Sequence, residues 1–119
     1  MKIAVTATGN DPAGAVDQRF GRAKCFFLFD TEEGTFTFYD NAVNLNALQG
    51  AGIQSAKKVV DIGAEAVVTG NVGPKAFSVL DSAGVSVYTG ASGTVKDAVE
   101  AFQNGALTVV EKATVEGHW

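Results

Sequence analysis

From Ala51 onward the sequence changes period repeatedly, from helix to strand and back, and this alternation restricts the fold more than any other feature. Ile53, Ala56, Val60 and Gly63 recur at helical spacing, with Lys57, Lys58 and Asp61 on other faces. Gly63 fits a helix stop. Residues 66–69 are a short apolar run of strand type. Pro74 then stands where a first helical turn favours it, and Ala76, Phe77, Leu80 and Ala83 form an apolar stripe that ends at Gly84. Residues 85–89 read as another buried strand. Thr94 with Asp97 has the form of a capping box. Val95, Ala98, Val99 and Phe102 mark the inward face of a last helix, closed by Gly105. A strand, a helix and a strand in succession favour parallel pairing with a right-handed crossover.

The first half has a different rhythm. Residues 2–8 alternate and are rich in Ile, Val and Ala, so they read as a central strand. Residues 10–21 form a loop marked by Asn-Asp-Pro and glycines. Residues 24–30 and 35–39 are strands joined by the short turn 31–34, which predicts an antiparallel edge hairpin. Residues 40–50 read as loop, and residues 107–119 as either a short strand or an irregular packed tail. The expected architecture is one α/β domain over residues 1–119, with a C-terminal tail at 107–119. It has three α/β/α layers around a mixed five-stranded sheet.

In such sheets ligands bind beyond the carboxyl ends of the parallel strands. Two turns of the same form emerge there, "TGNVGP" and "TGASGT", each feeding a helix N-terminus. Free N–H groups and the helix dipole favour an anion at such a place. Ordinary strand–helix connections also use glycine, so the turns alone leave both readings open. Neither matches a Walker loop or a dinucleotide fingerprint. A third segment, "RFGRAK", holds both arginines of the chain, Arg19 and Arg22, together with Lys24. That is three of the nine cations in an acidic protein of net charge -4. It reads as an anion-facing loop or as a solvated one, with Phe20 a core anchor or a wall of the site.

That acidity argues against nucleic acid and anionic membrane as partners, since both are bound through clustered Lys and Arg. No apolar run reaches the roughly 20 residues of a membrane span, and the first apolar stretch is too short for a secretory signal. With a single cysteine, a cytoplasmic location is expected. One Cys, one His and one Met also rule out a closed Cys/His zinc site or a four-thiolate iron–sulfur site within one chain. A soft-metal cofactor would have to bring most of its own ligands. Cys25 reads as a buried small hydrophobe. The alternative is a thiolate near Arg22 and Lys24, with a lowered pKa and an affinity for soft metal. His118 reads as a surface residue. The acidic residues are scattered and no serine has an evident base partner, so enzymatic chemistry is not expected.

"RFGRAKCFFLFD", "GAGIQSAKKVVDIGAEAVVTGNVGPKAF" and "AGVSVYTGASGTVKDAVEAFQNGAL" resemble the dinitrogenase iron–molybdenum cofactor biosynthesis family, which includes NifX- and NifB-C-terminal-like domains. The likeness runs from the first strand to about Leu107. It implies an RNase H-like fold without nuclease activity that carries or inserts metal–sulfur clusters. It also implies, as in a short stand-alone member of that group, a molybdenum–copper sulfide cluster or related molybdenum/iron–sulfur cluster held non-covalently. Many members have His immediately before Phe-Gly-Arg, a plausible cluster ligand, where this chain has Arg19. The departure fits an anionic cluster held by charge and hydrogen bonds.

The resemblance and the residues together lead to one expected site. Arg19 and Arg22 offset charge, with Phe20 and Gly21 between them. Backbone at Gly70, Asn71, Val72, Gly73 and Pro74, and at Gly90, Ser92, Gly93 and Thr94, donates hydrogen bonds. Thr6, Thr8 and the Asn71 side chain add polar contacts, and Cys25 is the candidate metal contact. Proteins of a cluster-handling complex would be the further partners. A phosphate- or nucleotide-type anion-binding module and a protein-interaction adaptor are the competing readings.

Overall fold

The computed structural model describes residues 1–42 and 50–114. Among the described residues nine regular elements succeed one another: β1 (Lys2–Ala7), β2 (Cys25–Asp30), β3 (Thr35–Asp40), α1 (Ala51–Asp61), β4 (Ala66–Val68), α2 (Pro74–Ser82), β5 (Ser86–Thr89), α3 (Val95–Gln103) and β6 (Thr108–Val110). They build an open six-stranded sheet in the order β3-β2-β1-β4-β5-β6. β1, β4 and β5 are parallel, while β2 and β3 form the antiparallel hairpin on one side. The five expected strands are present, and a sixth joins them. Thr108–Val110 pairs antiparallel with β5, so the ambiguous segment begins as a strand. Three residues, two of them exposed, are too few to show a period in the sequence.

Helices cover both faces of the sheet. On one face α1 and α2 pack Ala56, Val59, Ala76 and Leu80 onto Ala4, Phe26, Leu28, Val67 and Val87. On the other, α3 packs Val95, Ala98 and Val99 onto Ile3, Val5, Phe27 and Val68. β1 lies between β2 and β4, and its residues alternate between the two cores, which is why every position from Ile3 to Ala7 is buried.

The inward face of α1 is rotated from the one its larger residues predict. Ala51, Ser55, Ala56 and Val59 are buried, while Ile53 and Val60 are only partly so. The small residues let α1 approach α2 closely: a Cβ on Gly52 would lie 3.4 Å from that of Ala76. The Ser55 hydroxyl accepts from Nδ2 of Asn41 (3.0 Å), a buried side chain that also donates to the Ala23 carbonyl (2.9 Å). Asn41 thereby ties the end of β3 to α1 and to the loop before β2. Of the segment read as loop at 40–50, residues 43–49 lie outside the described residues, as does His118.

Candidate functional site

The carboxyl ends of β1, β4 and β5 share one rim with the start of β2, because Ala7 is the register partner of Cys25. The loop between β1 and β2 runs across this rim and is stitched to both Thr-Gly-x-x-Gly turns by backbone bonds. Asn71 N–H donates to Gln18 O (2.9 Å) and Phe20 N–H to Asn71 O (3.1 Å), which sets Arg19 beside Asn71. Val16 N–H donates to Gly93 O (3.0 Å), and Val95 N–H to Gly14 O (3.0 Å). The three segments singled out in the sequence therefore meet in space.

They do not meet as equals. At the turn before α3 the N-terminal donors are already occupied. The Thr94 hydroxyl accepts from Asp97 N–H, and the Asp97 carboxylate accepts from Thr94 N–H (both 3.0 Å), a complete capping box. Val95 and Lys96 N–H groups go to the carbonyls of Gly14 and Pro12. Asp97 also places a negative charge in the first turn, which suits the helix dipole and repels an anion. Gly93 has φ 76°, a left-handed conformation that L side chains rarely adopt.

The turn before α2 is open. Its N-cap is Gly73, with no side-chain cap; Pro74 occupies the first turn, which holds no acidic residue. Among the described residues nothing accepts from the N–H groups of Lys75 and Ala76. Arg19 is exposed beside this turn, and no described carboxylate forms an ion pair with it. Lys75 is exposed on its first turn, and Asn71 and Gly73 are half-buried. Gly70 is buried under the loop: a Cβ there would lie 2.8 Å from the Gln18 Cα and collide with its side chain, so this glycine serves close approach.

Several residues named from the sequence are placed inside. Phe20 is 0% exposed and stacks at 5.8 Å on Phe26, as a core anchor. Gly21 and Val72 are buried too. Thr6 is 0% exposed, and its hydroxyl donates to Asp17 O (2.6 Å) while sharing a 2.9 Å bond with the Thr69 hydroxyl. Thr8 is exposed and its hydroxyl donates to Ala15 O (3.1 Å). Ser92, Gly93 and Gly90 are exposed on the sealed side, with Thr94 half-buried. Arg22 is half-buried.

Cys25 corrects the thiolate reading. Its sulfur is buried and lies 3.4 Å from the carbonyl oxygens of Ala7 and Gly9, to which a thiol donates. Burial first, then the negative charges of Asp40 and Asp17, push the thiol up to about 11, against a smaller opposing effect of Lys24. The lysine is too exposed to offset desolvation. Among the described residues, moreover, no three His, Cys, Asp or Glu side chains gather to hold a bare metal ion, and no helix is long and apolar enough to cross a membrane.

Residues missed from the sequence are Gln18, whose side-chain amide donates to Ala91 O (2.9 Å), and Thr114, which bonds to Val72. Gln18 adjoins the Arg19 motif but carries no signal of its own. Thr114 lies in a tail without period.

The sheet order, the flanking helices and the loop across the carboxyl rim define an open mixed α/β fold. The family model described as dinitrogenase iron–molybdenum cofactor matches residues 1–105, and the chain belongs to that family. The apo form of the orange protein from Desulfovibrio gigas is similar over 96% of both chains, at 38% identity and a TM-score of 0.93. A candidate NifB protein from Thermotoga is similar over 98% of both, at 35% identity and a TM-score of 0.85. An uncharacterized protein of Methanocaldococcus jannaschii is 29% identical, covering 93% of this chain and 92% of its own.

Proposed function

We propose that this chain is a non-enzymatic carrier that holds an anionic metal–sulfide cluster, of molybdenum with copper, non-covalently at the carboxyl rim of β1, β4 and β5. The observation that carries the reading is the unequal pair of turns. The α2 N-terminus is left uncapped beside an exposed arginine, while the α3 N-terminus is filled by the protein itself. Open N–H groups, a helix dipole and a guanidinium suit an anion.

The donor set fits a cluster that brings its own sulfides. The protein supplies N–H groups and positive charge, and Cys25, held protonated in the core, is not required as a ligand. Arg19 and Lys75 lie nearest the open turn, and the half-buried Arg22 adds charge. Family membership and the likeness to the orange protein support the cofactor-carrying theme. A single protonated thiol is compatible with a reducing cytoplasm, and the exposed rim could be shared with other proteins of a cluster-handling complex.

Reconstitution with tetrathiomolybdate and Cu(I) tests the proposal. The chain should acquire visible charge-transfer bands with stoichiometric molybdenum and copper. Arg19→Ala should weaken uptake by about tenfold, the magnitude of one charge-assisted hydrogen bond, and leave the melting temperature within about 1 °C, as for an exposed side chain. A protein that stays colourless, or that binds equally well without Arg19, would refute the reading.

A further inference from the structure

Val110, the last residue of β6, packs against the core on the α1–α2 side of the sheet. The chain then closes on the turn before α2. Thr114 grips a single residue there. Its hydroxyl accepts from Val72 N–H (2.8 Å) and lies 3.3 Å from Val72 O, while its own N–H donates to the same carbonyl (2.9 Å). Thr114 is itself exposed, yet Val72 beneath it is fully buried.

The position of this clasp matters more than its strength. The backbone donors of the turn run in sequence from Asn71 to Ala76. Asn71 N–H is spent on the loop, at Gln18 O. Val72 N–H is the next, ahead of the open group at the helix start, and among the described residues the Thr114 hydroxyl accepts from it. We infer that Thr114 is a gate: a neutral hydroxyl that holds an anion donor closed until an anionic ligand displaces it. The inference rests on the reading that this turn binds an anion.

The physical case is a competition. A hydrogen bond to a charged acceptor is roughly twice as strong as one between neutral groups, so a thiometallate sulfide can replace the hydroxyl. In the ligand-free chain the hydroxyl keeps a buried N–H satisfied, which spares the cost of leaving it bare. The apparent affinity is then lower than the intrinsic one by the fraction of chains in which the tail has let go. The bonds from Thr114 to Val72 are local and few, so release does not require β6 to leave the sheet.

Tetrathiomolybdate titration of the full chain, monitored by visible absorbance at fixed salt, tests the gate with two variants. Thr114→Ala removes the hydroxyl and should bind about fivefold tighter, the effect of one neutral hydrogen bond. Thr114→Ser keeps the hydroxyl and should match the wild type. In the ligand-free chain the Val72 amide should exchange with solvent at least about tenfold faster in Thr114→Ala than in the wild type. If wild type and Thr114→Ala bind with the same affinity, or the variant binds more weakly, the gate is overturned and the anion site stands. If none of the three binds, the anion reading fails and the gate falls with it.

Discussion

Cys25 opens β2 with its sulfur inside the α3-side core, 3.4 Å from two carbonyl oxygens and surrounded by apolar side chains. Its thiol titrates near 11 instead of the ordinary 9.0. Below pH 9 the group is neutral in both the folded and the unfolded chain, and it adds no pH dependence. Between about pH 9 and 11 the unfolded chain releases the proton while the folded chain keeps it, so stability falls as pH rises. Urea midpoints at pH 8, 9 and 10 check this, with Cys25→Ala as reference. The wild type should lose more stability than the variant over that range. Equal losses would show that the thiol titrates normally and is solvated. The sequence offered two readings, a buried small hydrophobe and a soft-metal thiolate beside Arg22 and Lys24, and burial bears out the first. Residue type and neighbouring charge do not report depth, and depth decides the protonation state here.

The two Thr-Gly-x-x-Gly turns are the same word in the sequence and different objects in the fold. They differ in the helix that each one starts and in the loop that crosses over it. Asp97 and the carbonyls of Pro12 and Gly14 close the α3 N-terminus, while Gly73 leaves that of α2 uncapped. Gly73→Asp should therefore move stability and binding in opposite directions. Gly73 has φ -81° and ψ 167°, an extended cap geometry that aspartate adopts. The new carboxylate can accept from the open first-turn N–H groups and should add a few tenths of a kcal/mol to folding. It would also put a negative charge at the proposed thiometallate site, so affinity should drop by more than about tenfold. Denaturant unfolding and tetrathiomolybdate titration read the two effects. A variant that gained stability and kept full affinity would move the site elsewhere on the rim. The capping box of α3 was legible because it is written in side chains, at Thr94 and Asp97. The stitching by the loop before β2 was not, because backbone groups carry it and any residue supplies them. The face of α1 was misjudged for a related reason. Large residues at helical spacing suggested Ile53 and Val60, whereas close approach to α2 selects the small ones.

At the scale of the whole molecule, an acidic chain of net charge -4 is proposed to hold an anion. The alternation of strands and helices led directly to the mixed sheet and its carboxyl rim. Net charge, however, says nothing about where the positive groups lie. In the proposed site Arg19 and Lys75 would act on the ligand at contact, together with the helix dipole, while the remaining charge would act from farther away. These two ranges respond differently to salt. At about 0.1 M ionic strength the Debye length is about 10 Å, which screens the repulsion between the distant acidic surface and the approaching cluster. Hydrogen bonds and contact pairs at the open turn are screened much less. Between about 20 and 200 mM salt the association rate of tetrathiomolybdate should rise by about two- to threefold, with little change in dissociation. A protein that captures anions through a broad basic patch shows the reverse, with association falling steeply as salt rises. Stopped-flow measurements across that range separate the cases. A steep fall would mean that Arg19, Arg22, Lys24 and Lys75 act together as a long-range steering surface, and that the ligand is held by diffuse charge and not by the uncapped helix.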